Sequence, residues 1–145
     1  MSNGRRRFLE DLGFLLLGGV TGGALFGGCS SGGLPTYRYT SPAGTINLYL
    51  DWYPELVTAG GAIQLVVTGR PKPVVVVRFS TGSFTAVSPE CPYDGCVVRK
   101  DENQFRCPCD GSRFALDGKV ISGPAGAPLE SYRTEYKTGI VKIFL

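Results

Sequence analysis

The chain reads Cys-Pro-Tyr-Asp-Gly-Cys over residues 91–96 and Cys-Pro-Cys-Asp-Gly-Ser over residues 107–112. These two segments contain four of the five cysteines of the 145-residue chain. Clustered cysteines in a chain of this size indicate disulfides or a metal site. A four-cysteine zinc ribbon prefers two Cys-x-x-Cys knuckles, and neither segment contains one. The spacing of the cysteines therefore favours neither alternative strongly.

The two segments resemble the two cluster-binding boxes of the Rieske family, Cys-x-His-x-Gly-Cys and Cys-Pro-Cys-His-Gly-Ser. The likeness extends to the residues around them and covers most of residues 51–145. The further matching segments are Phe105-Arg106, Arg113-Phe114, Asp117-Gly118 and the Gly/Pro-rich stretch from Gly123 to Leu129. The resemblance implies an all-β fold, a Rieske-type antiparallel domain with two cluster-binding-type loops.

In the Rieske family, the first cysteine of each box binds one iron of a [2Fe-2S] cluster, and the histidine of each box binds the other iron. The resemblance therefore assigns Cys91 and Cys107 as thiolate ligands. It also implies a disulfide between Cys96 and Cys109, which match the remaining cysteines of the two boxes. Ser112 matches a serine that hydrogen-bonds a cluster sulfur in that family.

The two histidine positions hold Tyr93 and Asp110, and the chain contains no histidine at all. Imidazole ligands on one iron raise the reduction potential of a Rieske centre above that of an all-cysteine cluster. Tyrosinate and carboxylate are hard, anionic oxygen ligands, which would lower this potential and suit iron–sulfide chemistry less well. We therefore predict that the protein binds no Rieske cluster, and that Cys91 and Cys107, freed from iron, form a second disulfide.

Two functions are compatible with these observations. The first is a cluster-less structural or binding subunit, or an accessory protein, of a membrane redox complex. The second is an electron-transfer protein with a [2Fe-2S] cluster of non-standard ligation, either by Cys91, Cys107, Asp110 and Tyr93 or by the four clustered cysteines. An enzyme is not expected, because Asp94, Asp110 and Tyr93 without a histidine form no acid–base or nucleophile constellation.

The expected partner is a protein of a redox or respiratory membrane complex. The loop tips would present Pro92, Tyr93 and Asp94 beside Asp110 and Gly111, and an exposed tyrosine next to a few polar groups is typical of a protein-docking surface. The formal net charge of +3 is too small to indicate a nucleic-acid partner.

Residues 1–28 resemble a bacterial twin-arginine export signal. An Arg-Arg-x-Phe-Leu motif begins at Arg5, and a weakly apolar run of 17 residues extends over residues 12–28. The small residues before Cys29 resemble a lipoprotein cleavage site, in which Cys29 becomes the lipidated residue. The alternative is an uncleaved membrane anchor, although 17 residues lie at the short limit for spanning a bilayer. Both alternatives place the domain on the periplasmic side of a bacterial membrane, attached to it through the N-terminus.

Residues 29–44 are rich in Ser, Gly, Pro and Thr, which predicts a flexible tether. Residues 45–145 alternate short apolar segments with turn residues, which predicts one all-β domain. The predicted strands cover residues 45–50, 62–68, 73–79, 83–87, 113–116, 119–121, 132–136 and 140–144, with one short helical turn within residues 51–57.

Three finer predictions concern burial. The β-branched run from Val74 to Val77 is expected to be buried on both faces of its sheet. Trp52 and Tyr53 are expected to pack under the first strands of the domain. The charged residues from Arg99 to Glu102 are expected to form an exposed turn.

Overall fold

A computed structural model of the chain describes residues 33–41 and 43–145. The predicted export signal or anchor over residues 1–28, the lipidation of Cys29 and the first part of the predicted tether lie outside the described residues. Within the described ranges, no helix combines the length and the apolar character that crossing a membrane requires.

The described residues fold into eleven β-strands and two short 3₁₀ turns. The strands, in chain order, are β1 Thr36–Tyr39, β2 Thr45–Tyr49, β3 Ala62–Val67, β4 Val74–Ser80, β5 Ser83–Val87, β6 Arg99–Asp101, β7 Gln104–Arg106, β8 Arg113–Ala115, β9 Val120–Ser122, β10 Ser131–Lys137 and β11 Ile140–Phe144. The 3₁₀ turns are Leu50–Trp52 and Pro54–Leu56. The predicted all-β fold is confirmed.

The strands form two sheets. One has seven strands in the order β1-β3-β4-β5-β10-β11-β2, and the other has four strands in the order β6-β7-β8-β9. Neighbouring strands are antiparallel throughout, except that β1 and β3 run parallel. The domain is therefore antiparallel as expected, with one parallel pair at an edge of the larger sheet.

Strand β4 separates two hydrophobic cores. Successive side chains of a strand point to opposite faces. Val74 and Val76 accordingly lie in one core, which we call the first core, and Val75 and Val77 lie in the other, the second core. All four are at most 1% exposed, so this run is buried on both faces, as the sequence predicts.

The second core supports the two cysteine segments. Residues 91–96, hereafter the first loop, lie between β5 and β6, and residues 107–112, hereafter the second loop, connect β7 to β8. Phe105 and Phe114 face each other across β7 and β8 on either side of the second loop, and both are almost completely buried. A buried aromatic pair at this position stabilises the base of the loop.

Strand β1 corrects, for residues 36–39, the prediction of a flexible tether over residues 29–44. Thr36–Tyr39 pair with β3, and Tyr37 and Tyr39 pack against the first core. The Tyr37 hydroxyl also donates a hydrogen bond of 3.0 Å to Glu55 Oε1. The sequence does not reveal this strand, because a four-residue segment that a distant strand stabilises carries little local signal.

Two other predictions are corrected. Trp52 is 71% exposed and lies against the ring of Tyr49 with 5.3 Å between ring centroids, whereas Tyr53 is buried as predicted. Arg99–Asp101 form strand β6, and only Glu102 belongs to the turn that follows, where it adopts a φ of 50°. Strand β6 pairs with β7, which satisfies backbone N–H and C=O groups of β6. The pattern of charges in the sequence does not reveal this pairing.

Candidate metal centre

The first and second loops have the same backbone turn. In each loop the glycine N–H donates to the carbonyl of the leading cysteine, at 2.8 Å from Gly95 to Cys91 and at 3.0 Å from Gly111 to Cys107. Both glycines adopt a positive φ, 75° for Gly95 and 78° for Gly111. Glycine adopts this left-handed conformation without steric cost, so the residue type at this position is a consequence of the turn.

The aspartate before each glycine closes the turn with its side chain. Asp94 Oδ1 accepts the backbone N–H of Cys96 at 2.9 Å, and Asp110 Oδ1 accepts the backbone N–H of Ser112 at 2.6 Å. These are Asx turns, in which an aspartate caps the backbone two residues further along the chain. Each carboxylate keeps its second oxygen available for other contacts.

The two loops exchange contacts between thiols and carboxylates. The Cys91 thiol donates to Asp110 Oδ2 at 3.5 Å, and the Cys107 thiol contacts the two oxygens of Asp94 at 3.5 and 3.6 Å. One ligand atom from each of the four residues lies within 4.8 Å of every other. Each loop therefore contributes one thiol and one carboxylate to a single cluster, hereafter the Cys₂Asp₂ cluster.

Asp94 belongs to this cluster, although the resemblance does not identify it as a candidate ligand. The resemblance places Tyr93 at the oxygen-donor position of the first loop, but Tyr93 is 63% exposed and the Cys107 thiol contacts Asp94. A signal for Asp94 is present in the sequence. Both loops read Cys-Pro-x-Asp-Gly, so that Asp94 and Asp110 occupy equivalent positions of a repeated motif.

The predicted disulfide between Cys96 and Cys109 is present and joins the tips of the two loops, with 6.4 Å between its Cα atoms. Cys91 and Cys107 are free thiols in the structure, and both are almost completely buried. Their sulfur atoms are within 4.8 Å of each other. The second disulfide between Cys91 and Cys107 stays a prediction.

Ser112 holds the second loop against the Gly/Pro-rich segment that follows β9. Its side chain is completely buried, and its hydroxyl oxygen accepts the backbone N–H of Ala125 at 3.1 Å. Gly123 lies so close that a Cβ at that position would come within 2.5 Å of Ser112 Cα. The hydrogen bond from Ser112 to a cluster sulfur, which the resemblance implies, stays a prediction.

The surroundings shift the pKa values of two members of the cluster. Burial raises the pKa of the Cys91 thiol to about 11, against the opposing effect of the backbone N–H groups of Tyr93 and Asp94. Burial also acts to raise the pKa of Asp110, but the backbone N–H and the hydroxyl of Ser112 outweigh it and hold that pKa below its ordinary value.

No basic side chain neutralises the two carboxylates within residues 33–41 and 43–145. The ion pairs in these ranges join Lys72 to Glu90, Lys119 to Asp117 and Arg133 to Glu135. Arg99, Lys100 and Arg106 instead line a groove of about 530 Å³ that reaches Cys107. The Cys₂Asp₂ cluster thus combines two thiols and two carboxylates without a partner cation from the described part of the chain.

Known proteins resemble the chain over the region that contains both loops. The family model of the Rieske [2Fe-2S] domain matches residues 51–133. The cytochrome b6-f complex iron-sulfur subunit of Chlorobaculum tepidum is 42% identical over 72 residues, which are 48% of this chain and 39% of the relative. The chain therefore spans only about two fifths of the length of that relative.

Two further similarities come from Synechocystis. Its cytochrome b6-f complex iron-sulfur subunit 2 is 32% identical over 136 residues, 84% of this chain and 73% of the relative. The crystal structure of the cyanobacterial plasma membrane Rieske protein PetC3 is 34% identical, with a TM-score of 0.50 over 57% of this chain and 85% of that chain. Because the family model covers more than half of the sequence, including both loops, the chain belongs to the Rieske [2Fe-2S] domain family.

Proposed function

We propose that the protein is an exported, membrane-anchored subunit or accessory protein of a membrane redox complex, and that its Rieske fold is a structural and docking module without a Rieske cluster. The observation that carries this proposal is the absence of histidine from a chain that has both Rieske loops. A Rieske centre has two histidine ligands on one of its irons. The residues of this chain therefore do not fit that cluster.

The residues at the two histidine positions differ from imidazole in charge as well as in donor atom. By resemblance these residues are Tyr93 and Asp110, and both bind metals as anions. Two additional negative charges beside a cluster oppose its reduction, since like charges raise the cost of adding an electron.

The names of the relatives support the assignment to a membrane redox complex. Two of them are iron-sulfur subunits of the cytochrome b6-f complex, and PetC3 is a plasma membrane Rieske protein. The loop tips of this chain offer a surface for such a partner, because Pro92, Tyr93 and Pro108 are all exposed. Exposed aromatic residues are enriched in protein–protein interfaces.

We propose that the attachment to the membrane is a lipid on Cys29, after export by the twin-arginine route and removal of residues 1–28. The mature chain would then have 117 residues, which is 145 minus 28. The intact mass of the protein extracted from its own membranes tests this step. A mass that includes Met1 would favour an uncleaved anchor.

The alternative function is electron transfer by a [2Fe-2S] cluster of non-standard ligation. An all-cysteine cluster would need Cys96 and Cys109 as thiolates, whereas these two residues form a disulfide. A mixed cluster would need Tyr93, whose ring is largely in solvent, or Asp94 as a substitute. The all-cysteine version would therefore need the disulfide to open, and the version with Tyr93 would need that ring to turn inward, so we favour the cluster-less function.

The test is the iron and sulfide content of the protein after anaerobic purification from its own membranes. We expect no stoichiometric iron or sulfide, a colourless protein, and co-purification with subunits of a membrane redox complex. A sample with about two irons and two sulfides per chain, the content of a [2Fe-2S] centre, would overturn the cluster-less function in favour of electron transfer.

A gain-of-function variant tests the same proposal from the opposite direction. The double variant Tyr93→His, Asp110→His restores both family ligands, so we expect it to assemble a cluster with the Rieske paramagnetic signal when iron and sulfide are supplied. The matched control is Asp94→His, Asp110→His, which has the same composition but the wrong position in the first loop. A Rieske signal from both double variants, or from neither, would contradict the assignment of Tyr93 to the histidine position.

A further inference from the structure

We propose that Cys91, Asp94, Cys107 and Asp110 form a four-coordinate site for one divalent transition-metal ion of the zinc class. This inference goes beyond the proposed function, which concerns the missing Rieske cluster and its consequences. The site would close the two loops around a structural ion that has no redox role.

The sulfur–oxygen distances between the two loops match those around a single tetrahedral ion. Zinc lies about 2.3 Å from a thiolate sulfur and about 2.0–2.2 Å from a carboxylate oxygen, so a regular tetrahedron places sulfur and oxygen about 3.6 Å apart. The sulfur–oxygen distance is 3.5 Å between Cys91 and Asp110, and it is 3.5 and 3.6 Å between Cys107 and the two oxygens of Asp94.

The compactness of the cluster also favours one ion over a two-iron centre. In a [2Fe-2S] cluster, two irons and two bridging sulfides separate the ligands of one iron from those of the other. Here the contacts of 3.5 Å join a cysteine of one loop to an aspartate of the other, and the four ligand atoms lie within 4.8 Å of one another. The thiols and carboxylates therefore surround one centre.

The donor set favours zinc over calcium, magnesium and monovalent copper. Calcium and magnesium bind oxygen ligands, and monovalent copper prefers soft sulfur ligands, whereas zinc accepts both thiolates and carboxylates. The repeated Cys-Pro-x-Asp-Gly motif places its two donors three residues apart, which is the spacing of a Cys-x-x-Cys zinc knuckle. Two thiolates with two carboxylates also have the same formal charge as the four thiolates of a structural zinc site.

The lack of a positively charged partner for the two carboxylates also favours a bound cation. Buried charges in proteins are paired with an opposite charge or bind metals. Asp110 is half-buried, yet no ion pair of the described residues involves Asp94 or Asp110. A divalent cation would neutralise this cluster from within.

The ligands are already oriented by contacts outside the cluster. Each aspartate is fixed by the Asx turn of its own loop, from Cys96 to Asp94 and from Ser112 to Asp110. Such contacts to the ligands of a metal strengthen binding because they hold the donor atoms in place before the ion arrives. Four protein ligands leave no open position, which is typical of structural zinc sites and not of catalytic ones.

Binding of the ion needs no change of oxidation state. A divalent ion would displace the thiol protons of Cys91 and Cys107 to solvent as the two metal–sulfur bonds form. The second disulfide that the sequence predicts would consume the same two sulfurs. The metal site and that disulfide therefore exclude each other, so one experiment distinguishes them.

The experiment is a titration with Co²⁺ of the full-length chain, which is purified anaerobically in detergent and treated with a chelator. Co²⁺ occupies zinc sites and reports on them by visible absorption. We expect one Co²⁺ per chain, with the absorption bands of tetrahedral coordination and of thiolate ligation. Addition of one equivalent of Zn²⁺ should then remove the colour.

The variants Asp94→Asn and Asp110→Asn identify the oxygen ligands. Asparagine keeps the acceptor that an Asx turn needs, so the loops should retain their shape, but each variant should weaken Co²⁺ binding by at least about tenfold. Asp117→Asn is the matched control. Asp117 accepts the backbone N–H of Lys119 at 3.1 Å in a third Asp-Gly turn, away from the cysteines, so its replacement should leave the affinity unchanged.

A further control is Tyr93→Phe, which should bind Co²⁺ like the unchanged protein. Four results would overturn the proposal: a titration without thiolate-to-cobalt bands, binding that neither Asp94→Asn nor Asp110→Asn weakens, loss of binding in Tyr93→Phe, or a Cys91–Cys107 disulfide in the anaerobic protein. Iron and sulfide in the native protein would refute the proposed function and the zinc site together, because the cluster would occupy Cys91 and Cys107, whereas each of the four results above leaves the proposed function intact.

Discussion

The first loop and the second loop repeat the same Cys-Pro-x-Asp-Gly turn, but they differ in what fixes the residue after that turn. In the second loop this residue is Ser112, which is completely buried and bonded to Ala125. In the first loop it is Cys96, which is only half-buried and is covalently bonded to Cys109 of the second loop. At this position the second loop is thus anchored in the domain, whereas the first loop is anchored to the second.

The carboxylates of the two loops differ accordingly. Asp110 is half-buried and Asp94 is exposed, although each accepts the same backbone hydrogen bond within its own loop. A repeated local motif therefore determines a turn, whereas the burial beneath that turn determines how strongly its side chains are held. We expect substitutions around the second loop to disturb both loops, because the Cys96–Cys109 disulfide couples the first loop to the second.

The largest expected effect is the loss of the disulfide that joins the loops. The double variant Cys96→Ser, Cys109→Ser removes a bond between residues 13 positions apart. The chain-entropy estimate for a closed loop of this size is about 3 kcal/mol of unfolding free energy. Urea denaturation of the variant and of the unchanged protein under oxidising conditions measures the difference. Equal midpoints would show that the first loop is anchored in another way.

A smaller effect is expected where the second loop meets the Gly/Pro-rich segment. Gly123→Ala would place a Cβ 2.5 Å from Ser112 Cα, at a residue whose φ of 102° is unfavourable for alanine. We expect a loss of about 2 kcal/mol of unfolding free energy from the clash and the backbone strain. Gly126→Ala is the matched control, because a Cβ at Gly126 meets no atom within 4 Å. Similar thermal midpoints for both variants would contradict the close packing of the second loop.

The hydroxyl of Ser112 is expected to contribute less. Ser112→Ala leaves the buried N–H of Ala125 without its acceptor, which costs about 1–2 kcal/mol of unfolding free energy. Ser88 is the matched control, since its hydroxyl is equally buried but has no hydrogen-bond partner among the described residues. Ser88→Ala should therefore leave the stability unchanged or raise it. Chemical denaturation that ranks the two variants in the opposite order would refute this role of Ser112.

The smallest effect concerns the third Asp-Gly turn, which contains no cysteine. Burial acts to raise the pKa of Asp117, but the hydrogen bonds and the charge of Lys119 outweigh it and lower that pKa below its ordinary value. A lowered pKa means that the contribution of Asp117 to stability is present above the ordinary aspartate pKa of about 3.9 and is lost as the pH falls through the folded-state value.

Asp117→Asn should accordingly lower the stability at neutral pH by about 0.5 kcal/mol, as expected for a partly exposed ion pair, and should have no effect at strongly acidic pH. Thermal denaturation as a function of pH measures this difference. A difference that grows as the pH falls would contradict the assigned sign.

Much of the fold is visible in the sequence because its local patterns agree with the tertiary structure. Strand β5 has the predicted bounds, and the run from Val74 to Val77 is buried on both faces as its β-branched composition indicates. Strand β1 is not visible, since its partner β3 lies more than twenty residues away and pairs in parallel. The predicted burial of Trp52 is wrong because residue type alone does not show which of two adjacent aromatic side chains faces a core.

The sequence alone determined the family, the cysteine pair that forms the disulfide, and the absence of imidazole, because these depend on the identity and order of residues in two short motifs. Only the tertiary structure decided that Asp94, and not Tyr93, contacts the opposite thiol. The reason is geometric. The direction of the Asp94 side chain depends on its Asx hydrogen bond to Cys96. It also depends on the relative position of the two loops, which separate strands hold in place.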